Sequence, residues 1–172
     1  MLYFYNVIVN AGIRSVNGAT GRSGGKTMSR NYTVQTKIAR RVADVFDAIV
    51  SSDRMKRYFV NGASGDLVAG DTVIWHWDHY GENPIVVRKV VENQLIELAL
   101  DSKEWDKTKN EAYEVLVTFE FEELEDGTML SISEQGWKTD ADGLMGSHDN
   151  CGGWTHMAMC LKAYIEHGID LR

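Results

Sequence analysis

Residues 73–81 read VIWHWDHYG, which places two histidines, an aspartate and a tyrosine beside two tryptophans. Those types are the raw material of a metal site or an acid–base pair. On a strand, neighbouring side chains point to opposite faces, so Val73, Trp75, Trp77 and His79 share one side and Ile74, His76, Asp78 and Tyr80 the other. His76 and His79 therefore cannot converge on one ion, and the feature left to explain is an aromatic row. His156 and Cys160 stand four residues apart, a spacing that chelates zinc on a helix. His167 lies about 16 Å further along the same helix. His148 and Asp149, expected in the preceding loop, could add ligands. No second clustered pair accompanies them, and a solvated helix face with one small thiol accounts for the same residues, so no metal is expected.

Other patterns carry less chemistry. GRSGGKT lacks the first glycine of a phosphate loop, Thr20 standing in its place, and a strand rather than a helix follows. Glu120 and Glu122 alternate with Phe119 and Phe121, so with Glu123 they read as a solvated face. A nucleophile triad is not expected, and neither cysteine has an evident base.

The elements that must position these residues belong to a chain of 172 residues, 44% hydrophobic and 25% charged, the profile of an ordinary globule. Three of its 18 basic residues and none of its 25 acidic ones precede Met28, so the remainder carries a net charge of −10. Such a surface repels phosphate backbones, and neither nucleic acid nor an anionic membrane is an expected partner. Cys151 and Cys160, if on one helix, are about 13 Å apart and cannot bridge. Free thiols fit a reducing cytoplasm. MLYFYNVIV has no basic flank and is far shorter than the ~20 residues of a membrane span. Residues 1–29 are expected to be an N-terminal extension, or to add an edge strand, and residues 30–172 to be a single domain.

From Asn31, NYTVQTKI alternates as a strand, and Val42, Val45, Phe46 and Ile49 then mark one face of a helix. A short helix is expected near Ser52, followed by turns at NGASGD. Strands are expected over 72–79, 83–92, 94–100, 112–122 and 128–134, joined by connections short enough for antiparallel neighbours. KTDADGLMGSHDNCGG reads as a loop, and with Gly143, Gly146, Gly152 and Gly153 as hinges it could form a lid. Trp154, Met157, Ala158, Leu161, Tyr164 and Ile165 make the apolar stripe of a long final helix, which Gly168 stops.

RRVADVFDAIV, GDTVIWHWDHYG, NQLIELAL, VTFEFEELEDGTMLSISEQGW and above all GGWTHMAMCLKAYIEHG resemble the SRPBCC or START-like helix-grip superfamily. Within it the similarity is to the activator of heat-shock-protein-90 ATPase homologue (AHSA-type) family. The resemblance implies an α+β fold in which a curved antiparallel sheet of about six strands wraps a long C-terminal helix. It also implies a hydrophobic cavity between the two. The eukaryotic activators that name the family have a further chaperone-binding domain with no counterpart in these residues, so a chaperone partner is not expected.

Carried over from the family, the inward positions fall on Val73, Trp75, Trp77 and His79, on Ile96, Leu98 and Leu100, and on Val117, Phe119 and Phe121. The last strand offers Leu130, Ile132 and Glu134, and the helix Trp154, Met157, Ala158 and Leu161. With Trp137, the aromatic and aliphatic members of this set are the expected walls of a ligand cavity of roughly 300 Å³ or more. His79 and Glu134 are the polar exceptions, as a ligand anchor, as the catalytic candidates of a cyclase- or hydratase-type enzyme, or as a strand-end pair reaching water. The leading expectation is a non-enzymatic, cofactor-free protein that binds a small hydrophobic or amphipathic molecule. The alternatives are that enzyme and a chaperone-cofactor or stress-related interaction protein with a filled core. A homodimer is compatible with all three.

Overall fold

The computed structural model describes residues 31–102 and 113–172. The chain enters through β1 (Tyr32–Ile38) and two helices, α1 (Val42–Val50) and α2 (Ser52–Met55). Six further strands follow: β2 (Gly62–Ala63), β3 (Thr72–Trp77), β4 (Gly81–Val91), β5 (Leu95–Asp101), β6 (Glu114–Leu124) and β7 (Gly127–Gln135). α3 (Ala141–His167) closes the chain. The segment GRSGGKT, rejected as a phosphate loop, and the N-terminal extension lie outside the described residues.

The strands form one antiparallel sheet in the order β1-β7-β6-β5-β4-β3-β2. This is the expected helix-grip α+β arrangement, with seven strands where about six were expected. The addition is β2, drawn from the turn-like NGASGD, which pairs Gly62 and Ala63 with His76 and Trp75. The alternation in sequence carries over into packing: Val115, Val117, Phe119 and Phe121 are buried on β6, and Leu130, Ile132 and Glu134 on β7. Side-chain period and sheet pleat coincide, so one face of each strand becomes core.

α1 buries Val45, Phe46, Ala48 and Ile49. Tyr58, beyond α2, donates its hydroxyl to the Ala48 carbonyl at 3.0 Å, which satisfies a buried polar group while its ring stacks on Tyr164 of α3. α3 is fastened to the start of the chain by Lys162 Nζ donating to Lys37 O at 2.7 Å and Ala39 N donating to Glu166 Oε1 at 2.7 Å.

α3 differs from expectation at its start. Residues 141–153 are helix, so the loop and lid expected there are replaced by the first turns of a 27-residue helix. Asp140 caps it, accepting from Gly143 N at 2.8 Å. Two glycines serve close packing. A Cβ on Gly143 would come within 2.2 Å of the Lys138 carbonyl oxygen, and one on Gly146 within 2.5 Å of the Trp137 ring. Gly168, at φ 70°, ends the helix in the left-handed conformation expected of it. Among the described residues no helix is long and apolar enough to cross a membrane.

Candidate functional site

Three segments meet at Glu134. In the β1–β7 ladder Tyr32 stands opposite it, and Trp137 follows just after β7 ends. Asn150 and Trp154, one turn apart on α3, complete the set. The Glu134 side chain is fully buried. Its Oε2 accepts from Trp137 Nε1 at 2.5 Å; its Oε1 accepts from Trp154 Nε1 at 2.6 Å and from Asn150 Nδ2 at 3.0 Å. The Tyr32 hydroxyl lies near enough to act on the same carboxylate, but not aligned as a full hydrogen bond.

Every one of these neighbours is neutral. Burial pushes the Glu134 carboxyl above its ordinary range, against the downward pull of the Tyr32, Trp137, Trp154 and Asn150 donors. Burial, reinforced by the charge and hydroxyl contact of Glu134, drives the Tyr32 phenol upward as well. The Cys151 thiol is raised first by burial and then by the same carboxylate.

Beside this polar node lies the aromatic wall. Trp75 is fully buried, Trp77 half-buried, and their rings meet edge to face at 6.0 Å. Phe59, which no pattern in the sequence marks, reaches ring contact with Trp75 at 5.9 Å, Trp77 at 5.3 Å and Trp154 at 6.1 Å. Trp77 Nε1 donates to the Phe59 carbonyl at 3.0 Å. Phe119 stands edge-on to Trp154 at 5.5 Å. Leu98, Leu100, Val117, Ile132, Met157 and Leu161 are buried around them, and Phe121 packs against Phe46. These rings and aliphatic side chains pack together on the face of the sheet that meets α3. A recess of about 400 Å³ lies elsewhere, on the surface between Ala39–Asp44 and Glu123–Gly127.

His79 does not join Glu134. β3 ends at Trp77, and residues 78–80 form the turn into β4, where the Tyr80 N–H donates to the Trp77 carbonyl and Gly81 adopts φ 79°. His79 is exposed there. The sheet order also inserts β4, β5 and β6 between β3 and β7, so even an inward His79 would start four strand spacings, roughly 19 Å, from the carboxylate. The acid–base pair is thus replaced by a carboxylate clamped by indoles. His156 Nε2 lies 3.4 Å from Cys160 Sγ, but His148 and Asp149 sit on α3 itself rather than in a preceding loop. Among the described residues no three His, Cys, Asp or Glu side chains cluster as metal ligands would.

Comparison with known proteins then decides the lineage. The family described as Activator of Hsp90 ATPase homolog 1-like protein matches residues 39–166. The chain belongs to that family. Among solved structures, it is similar to a Staphylococcus saprophyticus protein at 27% identity and a TM-score of 0.64, covering 81% of this chain and 94% of that one. The Aha1 dimer from Colwellia psychrerythraea is similar at 20% identity and a TM-score of 0.65, covering 79% and 96%. A putative protein of the dynemicin biosynthetic locus matches at 15% identity and a TM-score of 0.65, covering 79% of this chain and 47% of that one. At 20% and 15% identity the last two show the fold alone. Comparison with curated proteins gives no match.

Within the family frame, Asn150 and Tyr32 are the residues that sequence reasoning missed. Tyr32 carried a signal, since it alternates in phase with Val34 and Ile38 on β1. Asn150 carried one too, four residues before Trp154, but only once the helix is extended back to Asp140.

Proposed function

We propose that the protein binds a small hydrophobic or amphipathic molecule between the sheet and α3. The observation that carries this reading is a single buried carboxylate, Glu134, set into a wall that is otherwise aromatic and aliphatic. Apolar surface with one or two convergent polar groups is the usual composition of a small-molecule site. Access would come by movement of the first half of α3. Gly152 and Gly153 lie side by side just before Trp154 with nothing packed where their Cβ atoms would be, and each glycine weakens a helix by about 1 kcal/mol relative to alanine. Residues 141–151 can pivot there, releasing Asn150 from Glu134. A reducing cytoplasm, supported by two free thiols, is the compartment we assign.

The test is intrinsic tryptophan fluorescence together with the melting temperature of the full chain, against fatty acids, sterols, flavonoids and aromatic polyketides. A ligand that binds only the folded state raises the melting point by mass action. Saturable shifts in both signals, lost in a folded Trp77→Ala variant, support the pocket. Silence across every class refutes it.

One observation favours a second reading. The ring contacts around Phe59 close the inner space, while Leu144, Met145 and Met159 are exposed on α3. A filled-core interaction protein, including a homodimer through that helix, is supported by the same packing. Sedimentation equilibrium separates the readings: a concentration-dependent dimer abolished by Met145→Lys favours the second.

A further inference from the structure

Three groups around the node lack the same thing. Glu134 is a fully buried carboxylate whose hydrogen-bonding neighbours are neutral, and among the described residues no lysine, arginine or histidine pairs with it. A buried anion without a cation is costly even when well supplied with donors, because dipoles compensate a charge only in part. The Tyr32 and Tyr113 hydroxyls are also buried; that of Tyr32 lies against Glu134 without an aligned hydrogen bond, and that of Tyr113 has no hydrogen-bond partner among the described residues. Tyr32 faces Glu134 across the β1–β7 ladder, and the Tyr113 ring stands edge-on to Trp137 at 6.1 Å. Trp137 in turn donates to Glu134, so both phenols belong to one neighbourhood.

We infer that this node recognises a positively charged nitrogen bearing N–H groups on an apolar body, that is, a lipophilic primary or secondary ammonium. The inference rests on the ligand-binding reading above and names its ligand class. The ammonium supplies what each of the three groups lacks: a countercharge for Glu134, and N–H donors for the free lone pairs of the two phenol oxygens. The apolar body replaces ring contacts behind Trp154, where Phe59 and Phe119 now pack. A carboxylate ligand would meet a like charge in low dielectric, and a neutral alcohol would leave the anion uncompensated.

The experiment compares decylammonium, decanol and decanoate, each below its micellar concentration, by tryptophan fluorescence on the full chain at neutral pH. Decylammonium is expected to bind saturably and at least about tenfold more tightly than decanol, with decanoate weakest, the difference expected of a buried charge finding its partner. In Glu134→Gln the preference should fall to within about twofold of decanol, because the shape stays and the charge goes. Tyr32→Phe removes a hydroxyl that touches Glu134 without an aligned hydrogen bond, so it keeps the fold and should weaken decylammonium severalfold while leaving decanol unchanged. It also serves if Glu134→Gln fails to fold. Equal binding of the three chains, or a decylammonium affinity indifferent to Tyr32→Phe and to a folded Glu134→Gln, overturns the ammonium inference and leaves the ligand-binding reading standing. Absence of binding by all three overturns the ammonium inference, and the ligand-binding reading falls only if sterols, flavonoids and aromatic polyketides are silent as well.

Discussion

Replacing Glu134 by glutamine tests whether burial or hydrogen bonding dominates at this carboxylate. The amide keeps the shape of the side chain but holds one acceptor where there were two. If its oxygen takes the place of Oε1 it still accepts from Trp154 Nε1 and Asn150 Nδ2, and its NH2 then faces the Trp137 N–H across the 2.5 Å now spanned by a hydrogen bond. The opposite flip sets the NH2 against two donors and is worse. One buried indole N–H loses its acceptor, a change worth about 1–3 kcal/mol. The charge works the other way. Because burial holds the folded-state carboxyl above its ordinary 4.5, the folded protein binds a proton more tightly at this site than the unfolded chain does. The stabilising contribution of the proton is therefore fully present below the unfolded value and is lost as pH rises through the folded one, at about 1.4 kcal/mol per unit of upward displacement. Glutamine cannot titrate. The deficit of Glu134→Gln relative to the parent should be largest near pH 4.5 and shrink as the pH is raised. Urea unfolding of both proteins at several pH values measures it, with the remaining carboxylates cancelling in the difference. A deficit that grows with pH would refute the reasoning, since it would mean that the indole and amide donors outweigh burial and favour the charged form.

Gly146→Ala should destabilise by about 1–3 kcal/mol, because the added methyl meets the Trp137 ring at 2.5 Å, and near-ultraviolet circular dichroism should register the displaced indole. Gly152→Ala, with open space where the methyl goes, should raise stability by about 0.5–1 kcal/mol and slow ligand association in stopped-flow if the helix pivots there. His79→Ala should change stability by less than about 0.5 kcal/mol and leave ligand affinity untouched, as suits an exposed turn residue; a large loss in a thermal melt would contradict its placement. Tyr58→Phe should cost about 1 kcal/mol in the same melt through the lost bond to Ala48.

The periodicities of this chain are strong enough to place most of its elements. Val45, Phe46 and Ile49 mark α1 because a helix returns to the same face every third or fourth residue, and they are buried there. Phe119 and Phe121 mark the inner face of β6 because a strand returns every second residue. Glu134 was legible as an inward polar residue through the family resemblance, which placed it in line with Leu130 and Ile132. The start of α3 was not, because its glycines read locally as loop. Asp140 caps the turn that starts the helix, and Gly143 and Gly146 are glycines because the Lys138 backbone and the Trp137 ring approach too closely for any larger residue.

By itself, then, the sequence determined the antiparallel order of elements, the aromatic inner face, the C-terminal stop at Gly168 and the net acidity of the chain. These follow from local spacing, from backbone freedom at one residue and from counted charge. Which groups touch Glu134, and that His79 is not among them, was decided only by the tertiary structure. Tyr32, Trp137, Asn150 and Trp154 are brought together by the β1–β7 pairing and by the seating of α3, while three intervening strands hold His79 away. Contacts between residues more than a hundred positions apart, such as Tyr32 and Glu134, depend on strand order and register, which no local period encodes.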